Sequence, residues 1–237
     1  MRLSTVLGIK RTASTSARMV TLGMILFGLL SLGFGVVTFY GLSTGTFVIS
    51  MSEEPARRGI QLSEDRAFSN NGTSRLYADP QDDYEEATYS YLEIEQATQV
   101  DGMYENTNAD YMAYTFYLRN SGNEMVDLTY NLSIVEVTKG LDEYIRLLII
   151  IDDLEGNVTE TMFMKPDDEV KYYPPDYPVA KHFISDTLIS NERISMFQVG
   201  QVRKITIFMW IEGYDTHPGM ERGSIKVDMK FNLLSGN

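Results

Sequence analysis

Val126-Asp-Leu-Thr-Tyr-Asn-Leu-Ser-Ile134 sets an apolar side chain on every second position with a polar one between. Successive side chains of a strand point to opposite faces, so this two-residue period describes a strand with one buried and one solvated face. The same pattern recurs on both sides of it. Tyr111–Leu118 alternates, is rich in aromatic and β-branched residues, and ends at the turn Arg119-Asn-Ser-Gly-Asn123. Lys204–Glu212 is apolar at Ile205, Ile207, Met209 and Ile211, and Ser224–Leu233 at Ile225, Val227, Met229, Phe231 and Leu233. Ile145–Ile151 is a continuous apolar strand that turns at Asp152-Asp-Leu-Glu-Gly-Asn157 into Val158–Met164, which predicts a hairpin.

Other stretches carry less signal. Lys139–Tyr144 reads as a helical turn or a loop, and Ser185–Ser195 fits neither period. Tyr172-Tyr-Pro-Pro-Asp-Tyr-Pro178 is extended loop, because its three prolines donate no ladder hydrogen bond. Upstream, Ser43 to Ser90 is broken by Glu53-Glu-Pro-Ala-Arg-Arg58, Ser69-Asn-Asn-Gly-Thr-Ser74 and Asp79-Pro-Gln-Asp-Asp-Tyr-Glu-Glu86, with short strands expected at Thr46–Met51 and Ser74–Tyr77. Many strands separated by turns, with little helix, predict an all-β fold: an antiparallel β-sandwich, jelly-roll or Ig-like, over residues 91–237. Residues 41–90 are read as a stalk and loops. No internal repeat is present.

The N-terminus is of another kind. Met19 to Tyr40 contains no charged residue, Arg2, Lys10, Arg11 and Arg18 precede it, and the first acidic residue is Glu53. That length matches the roughly 30 Å hydrocarbon layer at 1.5 Å per helical residue, and the basic flank predicts a cytoplasmic N-terminus. The expectation is a basic tail (1–18), a single transmembrane helix (19–40) and an extracytoplasmic remainder. A cleaved secretory signal is the competing reading, but such signals have a shorter apolar core, and Ser43-Thr44-Gly45 is a poor cleavage site. Ser31 and Gly35 form one small-xxx-small pair of the sort that lets helices approach, on a background where glycine is common.

Removing the first 40 residues takes away four basic groups and no acidic one, leaving 16 Lys and Arg against 33 Asp and Glu, a net −17. Nucleic acid needs a basic footprint and is excluded as a partner. The chain has no cysteine, so disulfides, metal–thiolate sites and thiol nucleophiles are absent together, and stability must come from a packed core. The sequons at Asn71, Asn131 and Asn157 are read as coincidental.

Nothing in the chain spells out catalysis. Its two histidines, His182 and His217, fall in turn-rich sequence and read as surface residues. There is no Gly-x-Ser-x-Gly, no His-Glu-x-x-His and no glycine-rich phosphate loop. No catalytic, cofactor-binding or metal-binding residue is assigned. Two acidic clusters are of the chemistry calcium takes: Asp79, Asp82, Asp83, Glu85 and Glu86, and Asp152, Asp153, Glu155 and Asn157. Neither has EF-hand spacing, so solvated acidic turns are the plainer reading and no cofactor is expected. The tyrosines of the 172–178 loop suit a recognition surface or packing on the chain's own sandwich, and Trp210 beside Glu212 suits a binding element or the filling of space beneath a loop.

Three segments together carry a resemblance: Asp110-Tyr-Met-Ala-Tyr-Thr-Phe-Tyr-Leu-Arg-Asn-Ser-Gly122, Val137-Thr-Lys-Gly-Leu-Asp-Glu-Tyr-Ile-Arg146, and Phe208-Met-Trp-Ile-Glu-Gly-Tyr-Asp215 followed by Gly223-Ser-Ile-Lys-Val-Asp-Met-Lys-Phe231. The combination is similar to an uncharacterised family of single-pass, membrane-anchored extracytoplasmic proteins of Gram-positive bacteria and their wall-less relatives. The ending also resembles the β-sandwich surface and fibre proteins of the TasA/camelysin group. The resemblance implies location and fold and no catalytic residue. Where many relatives carry an acidic-Cys turn this chain has Thr216-His217-Pro218, so any thiol role of that turn is absent.

The expected function is that of a membrane-anchored, non-catalytic cell-surface protein whose sandwich binds a protein partner or self-assembles, with edge strands as one means. The alternatives are an accessory subunit of a membrane complex and a carboxylate- or metal-dependent extracellular hydrolase, which would need two acidic residues about 5–10 Å apart in a cleft.

Overall fold

A computed structural model describes residues 20–28, 31, 47–78, 85–108, 110–166, 173–215 and 223–234. The chain divides into two compact units, Met1–Thr44 and Gly45–Asn237. Of the first, residues 20–28 and 31 are helical. Among the described residues no helix is long and apolar enough to cross a membrane, and most of the predicted span 19–40 falls outside them.

The second unit is a β-sandwich. One sheet has five strands in the order β11 (Leu188–Phe197), β7 (Val126–Val137), β13 (Ile225–Leu233), β1 (Phe47–Met51) and β3 (Arg75–Ala78). The other runs β10 (Lys181–His182), β9 (Val158–Met164), β8 (Ile145–Asp152), β12 (Val202–Glu212), β6 (Tyr111–Asn120) and β2 (Ile60–Ser63), with β4 (Glu86–Ala87) on β12 and β5 (Gly102–Met103) on β6. Helices are limited to α1 (Glu53–Arg57), α2 (Ile94–Ala97) and 3-10 turns at Tyr89–Tyr91 and Leu141–Glu143.

β7 behaves as its alternation requires: Val126, Leu128, Tyr130, Leu132 and Ile134 are buried and the residues between them are half-buried. They share one core with Phe116, Leu118, Leu147, Ile149, Ile205 and Ile207 of the facing sheet, and with Phe47, Ile49, Met229 and Phe231 alongside. β8 and β9 form the expected hairpin, and the ambiguous 185–195 stretch supplies β11.

Two expectations need correction. The sheets are mixed rather than antiparallel throughout, since β1 runs parallel to β13, β10 to β9 and β4 to β12. Strands far apart in sequence, such as β1 and β13, are free of the hairpin constraint that forces antiparallel pairing. Residues 47–78, within the stretch read as stalk and loops, are built into the sandwich: β1 lies between β13 and β3, and β2 pairs with β6. Short strands are too brief for their period to reveal which sheet they complete.

A second core covers the outer face of the eight-stranded sheet. Tyr111, Ala113, Leu148, Ile150, Met162, Phe208 and Trp210 point outward and are buried by Ala87, Leu92 and Ala97. This layer explains why β6 and β8 are apolar on both faces, as strands buried on both sides are. The chain segment 86–97 thus adds a third layer at the end of the sheet where β12 finishes.

Candidate functional site

The residues of most chemical interest meet where β8 begins and β12 ends. Arg146 is the second residue of β8 and pairs across the ladder with Trp210 of β12. Glu212 stands two residues beyond Trp210 and therefore on the same face. The strand then turns, with the Asp215 amide donating to the Glu212 carbonyl at 3.0 Å. Over these side chains lies the Pro-rich loop, its prolines fixing an extended path that brings Tyr173 and Tyr177 down onto the sheet.

The Arg146 and Asp215 side chains are both fully buried and form an ion pair through Nη2 and Oδ2. Tyr173 joins it: Arg146 Nη2 donates to its hydroxyl at 2.9 Å, and that hydroxyl donates to Asp215 Oδ2 at 2.6 Å. Arg146 Nη1 donates to the Ile145 carbonyl at 2.8 Å. Glu212, with no exposed surface, accepts from the Tyr177 hydroxyl at 2.5 Å and from the Trp210 indole at 3.0 Å, both at Oε2. Three buried charges are thus surrounded by donors and acceptors, the condition under which charges are tolerated out of water.

Above the charges four tyrosine rings run in series. Tyr173 and Tyr177 stack with centroids 4.4 Å apart and planes at 16°. Tyr214 stands at 83° to Tyr173, and Tyr89 at 63° to Tyr177, each with centroids 6.2 Å apart. Tyr214 is 54% exposed; Tyr173, Tyr177 and Tyr89 are half-buried. Burial, then the hydrogen bond to Glu212, pushes the Tyr177 hydroxyl well above its ordinary pKa. Burial and the bond to Asp215 do the same for Tyr173. Burial works against the Arg146 charge, but Tyr173, Tyr177 and Asp215 together hold its pKa above the usual value. At neutral pH the cluster therefore holds neutral phenols against a guanidinium and carboxylates.

The loop tyrosines both pack on the sandwich and offer rings at its surface. Trp210, 1% exposed, fills space beneath the loop. His182 is exposed on β10, and His217 and Thr216–Pro218 lie outside the described residues. So do Asp79, Asp82 and Asp83 of the first acidic cluster. In the second, Asp152 Oδ1 accepts from the Leu154 amide at 2.7 Å, and Asp153 Oδ1 from the amides of Glu155 at 2.8 Å and Asn157 at 2.9 Å. These carboxylates cap their own hairpin turn, where Leu154 and Gly156 have positive φ. Among the described residues no group of three or more His, Asp or Glu side chains is placed to hold a metal ion. Two open clefts, of about 420 Å³ beside Arg66, Leu154 and Val199 and about 350 Å³ between Ile94, Glu160 and Lys204, lie away from Glu212 and Asp215.

Arg146 and Asp215 were not singled out by sequence. The available signal was a lone arginine in the apolar run Ile145–Ile151, which a buried strand accepts only with a partner.

No protein-family model and no curated protein matches the chain. Among solved structures it is similar to TmCBM61, described in complex with beta-1,4-galactotriose, at 10% identity over 75% of this chain and 84% of that one, with a TM-score of 0.26. A likeness that loose carries no argument.

Proposed function

We propose that this chain is a membrane-anchored, non-catalytic cell-surface protein whose β-sandwich binds a protein partner through the tyrosine-lined corner. The observation that carries the reading is the series of four rings braced from below by Arg146, Glu212 and Asp215. Tyrosine gives large contact area with few rotatable bonds, and bracing lowers the ordering cost of binding still further. The uncharged run 19–40 with its basic flank supports the anchor, and the acidic remainder supports an extracytoplasmic address.

The hydrolase alternative finds no support at Glu212 and Asp215. Both carboxylates accept hydrogen bonds from the chain's own Tyr177, Trp210, Tyr173 and Arg146, so neither is poised over an open cleft.

Cross-linking the full chain in its own membrane, followed by mass analysis, tests the reading. One distinct partner cross-linked to the chain is the expected product. A ladder at multiples of 26.9 kDa would replace partner binding by self-assembly, and unreacted monomer alone would overturn both.

A further inference from the structure

We propose that the tyrosine corner takes an organic cation, the ammonium or guanidinium head of a basic side chain on the protein partner. This rests on the reading of the corner as the binding surface and adds the chemistry it selects.

The inference starts from where the hydroxyls point. Tyr177 and Tyr173 turn theirs inward, onto Glu212 at 2.5 Å and Asp215 at 2.6 Å. What they leave facing outward is ring, with no hydroxyl to bond a neutral polar ligand. A phenol that donates to a carboxylate gains electron density, which strengthens the negative face that attracts cations. Tyr214 and Tyr173, at 83° with centroids 6.2 Å apart, form two walls of a right-angled corner, and a cation is held by ring faces within about 6 Å of their centroids.

The charge beneath points the same way. Glu212 and Asp215 lie under the rings with Arg146 as the nearby cation, and Glu160 and Asp176 are close enough to Tyr89 to disfavour its ionisation, after burial. Four carboxylates against one guanidinium leave the corner negative, in a chain whose net charge is −13. Such a field raises the encounter rate of basic partners at low salt.

The chain contains its own reporter. Trp210 is the single tryptophan, and its indole shares the Glu212 Oε2 atom with Tyr177. n-Butylammonium chloride would be titrated into the full chain while Trp210 emission is followed, with sodium chloride and n-butanol as controls. A saturable change with butylammonium alone is expected, weakened about threefold or more in Tyr214→Leu and retained in Tyr214→Phe. No saturable change, an equal response to butanol, or an unaltered response in Tyr214→Leu would overturn the cation site. Competition separates the two levels of the account. Butylammonium should release the cross-linked partner's binding; a partner captured at the corner but not displaced would remove the cation chemistry and leave the binding surface standing, whereas no capture would remove both.

Discussion

Replacing Arg146 by methionine leaves the Asp215 carboxylate buried with its cation gone, while the methionine fills much of the same volume. Both side chains have no exposed surface, so solvent screening offers little relief. Breaking a buried pair by removing one partner typically costs about 3–5 kcal/mol. In a domain of this size each kcal/mol shifts the melting temperature by about 2–4 °C, so a fall of roughly 6–20 °C is expected. Removing both charges is different in kind, because the desolvation of two ions disappears along with their attraction. Arg146→Met with Asp215→Asn should recover most of the loss, and Tyr173 can still hydrogen-bond the amide. Urea unfolding of the full chain, followed by the emission of Trp210 as it leaves its buried site, gives the four corners of the double-mutant cycle. A cost below about 1 kcal/mol for Arg146→Met, or a double variant no more stable than the single one, would refute the buried pair as the brace of the corner.

Leu132→Ala on the buried face of β7 should cost about 2–5 kcal/mol, and Ser133→Ala on the opposite face close to nothing, both read by urea unfolding. Gly122→Ala should destabilise strongly, because a Cβ there would lie 2.0 Å from the Arg58 carbonyl oxygen, against backbone that cannot swing away. Alkali should unfold the chain: the hydrogen bond to Glu93, with burial, pushes Tyr104 up to about 12, while an unfolded tyrosine ionises near 10.0. Burial likewise raises Tyr117, Tyr130 and Tyr177. A raised folded pKa for a neutral acid means stability that is present below pH 10 and lost above it, so phenolate absorbance should lag behind that of the urea-unfolded chain until unfolding begins. Asp153, held at about 2 by the Asn157 side chain and the Asn157 and Glu155 amides, has the opposite sign. Its contribution is present above its ordinary value of 3.8 and lost as pH falls through about 2, and amide exchange at Glu155 and Asn157 should quicken in Asp153→Asn near neutral pH.

The strands most readable in sequence were those with one wet face. β7 and β13 alternate because their outer face has no second core upon it, and their boundaries were legible to within a few residues. β8 was legible as a strand by its apolar run, but that run carried no hint that segment 86–97 covers it. β1, β2 and β3, of five, four and four residues, are too short for periodicity to place them in a sheet, and parallel pairing between chain ends leaves no local mark. The site divides in the same way. Tyr173, Tyr177, Trp210 and Glu212 stood out by residue type, whereas the ion pair joins positions 146 and 215, and only the β8–β12 register brings them together.

The central claim is that the tyrosine corner is where this protein meets its partner. A photo-reactive residue placed at position 214, and in a separate variant at position 199, tests it in the full chain in its own membrane. Tyr214 and Val199 are similarly exposed, at 54% and 51%, but Val199 lies in the turn between β11 and β12, at the other end of β12 from Glu212. The account predicts one partner adduct from position 214 and none from 199. An adduct from 199 alone, or from neither position, would contradict it.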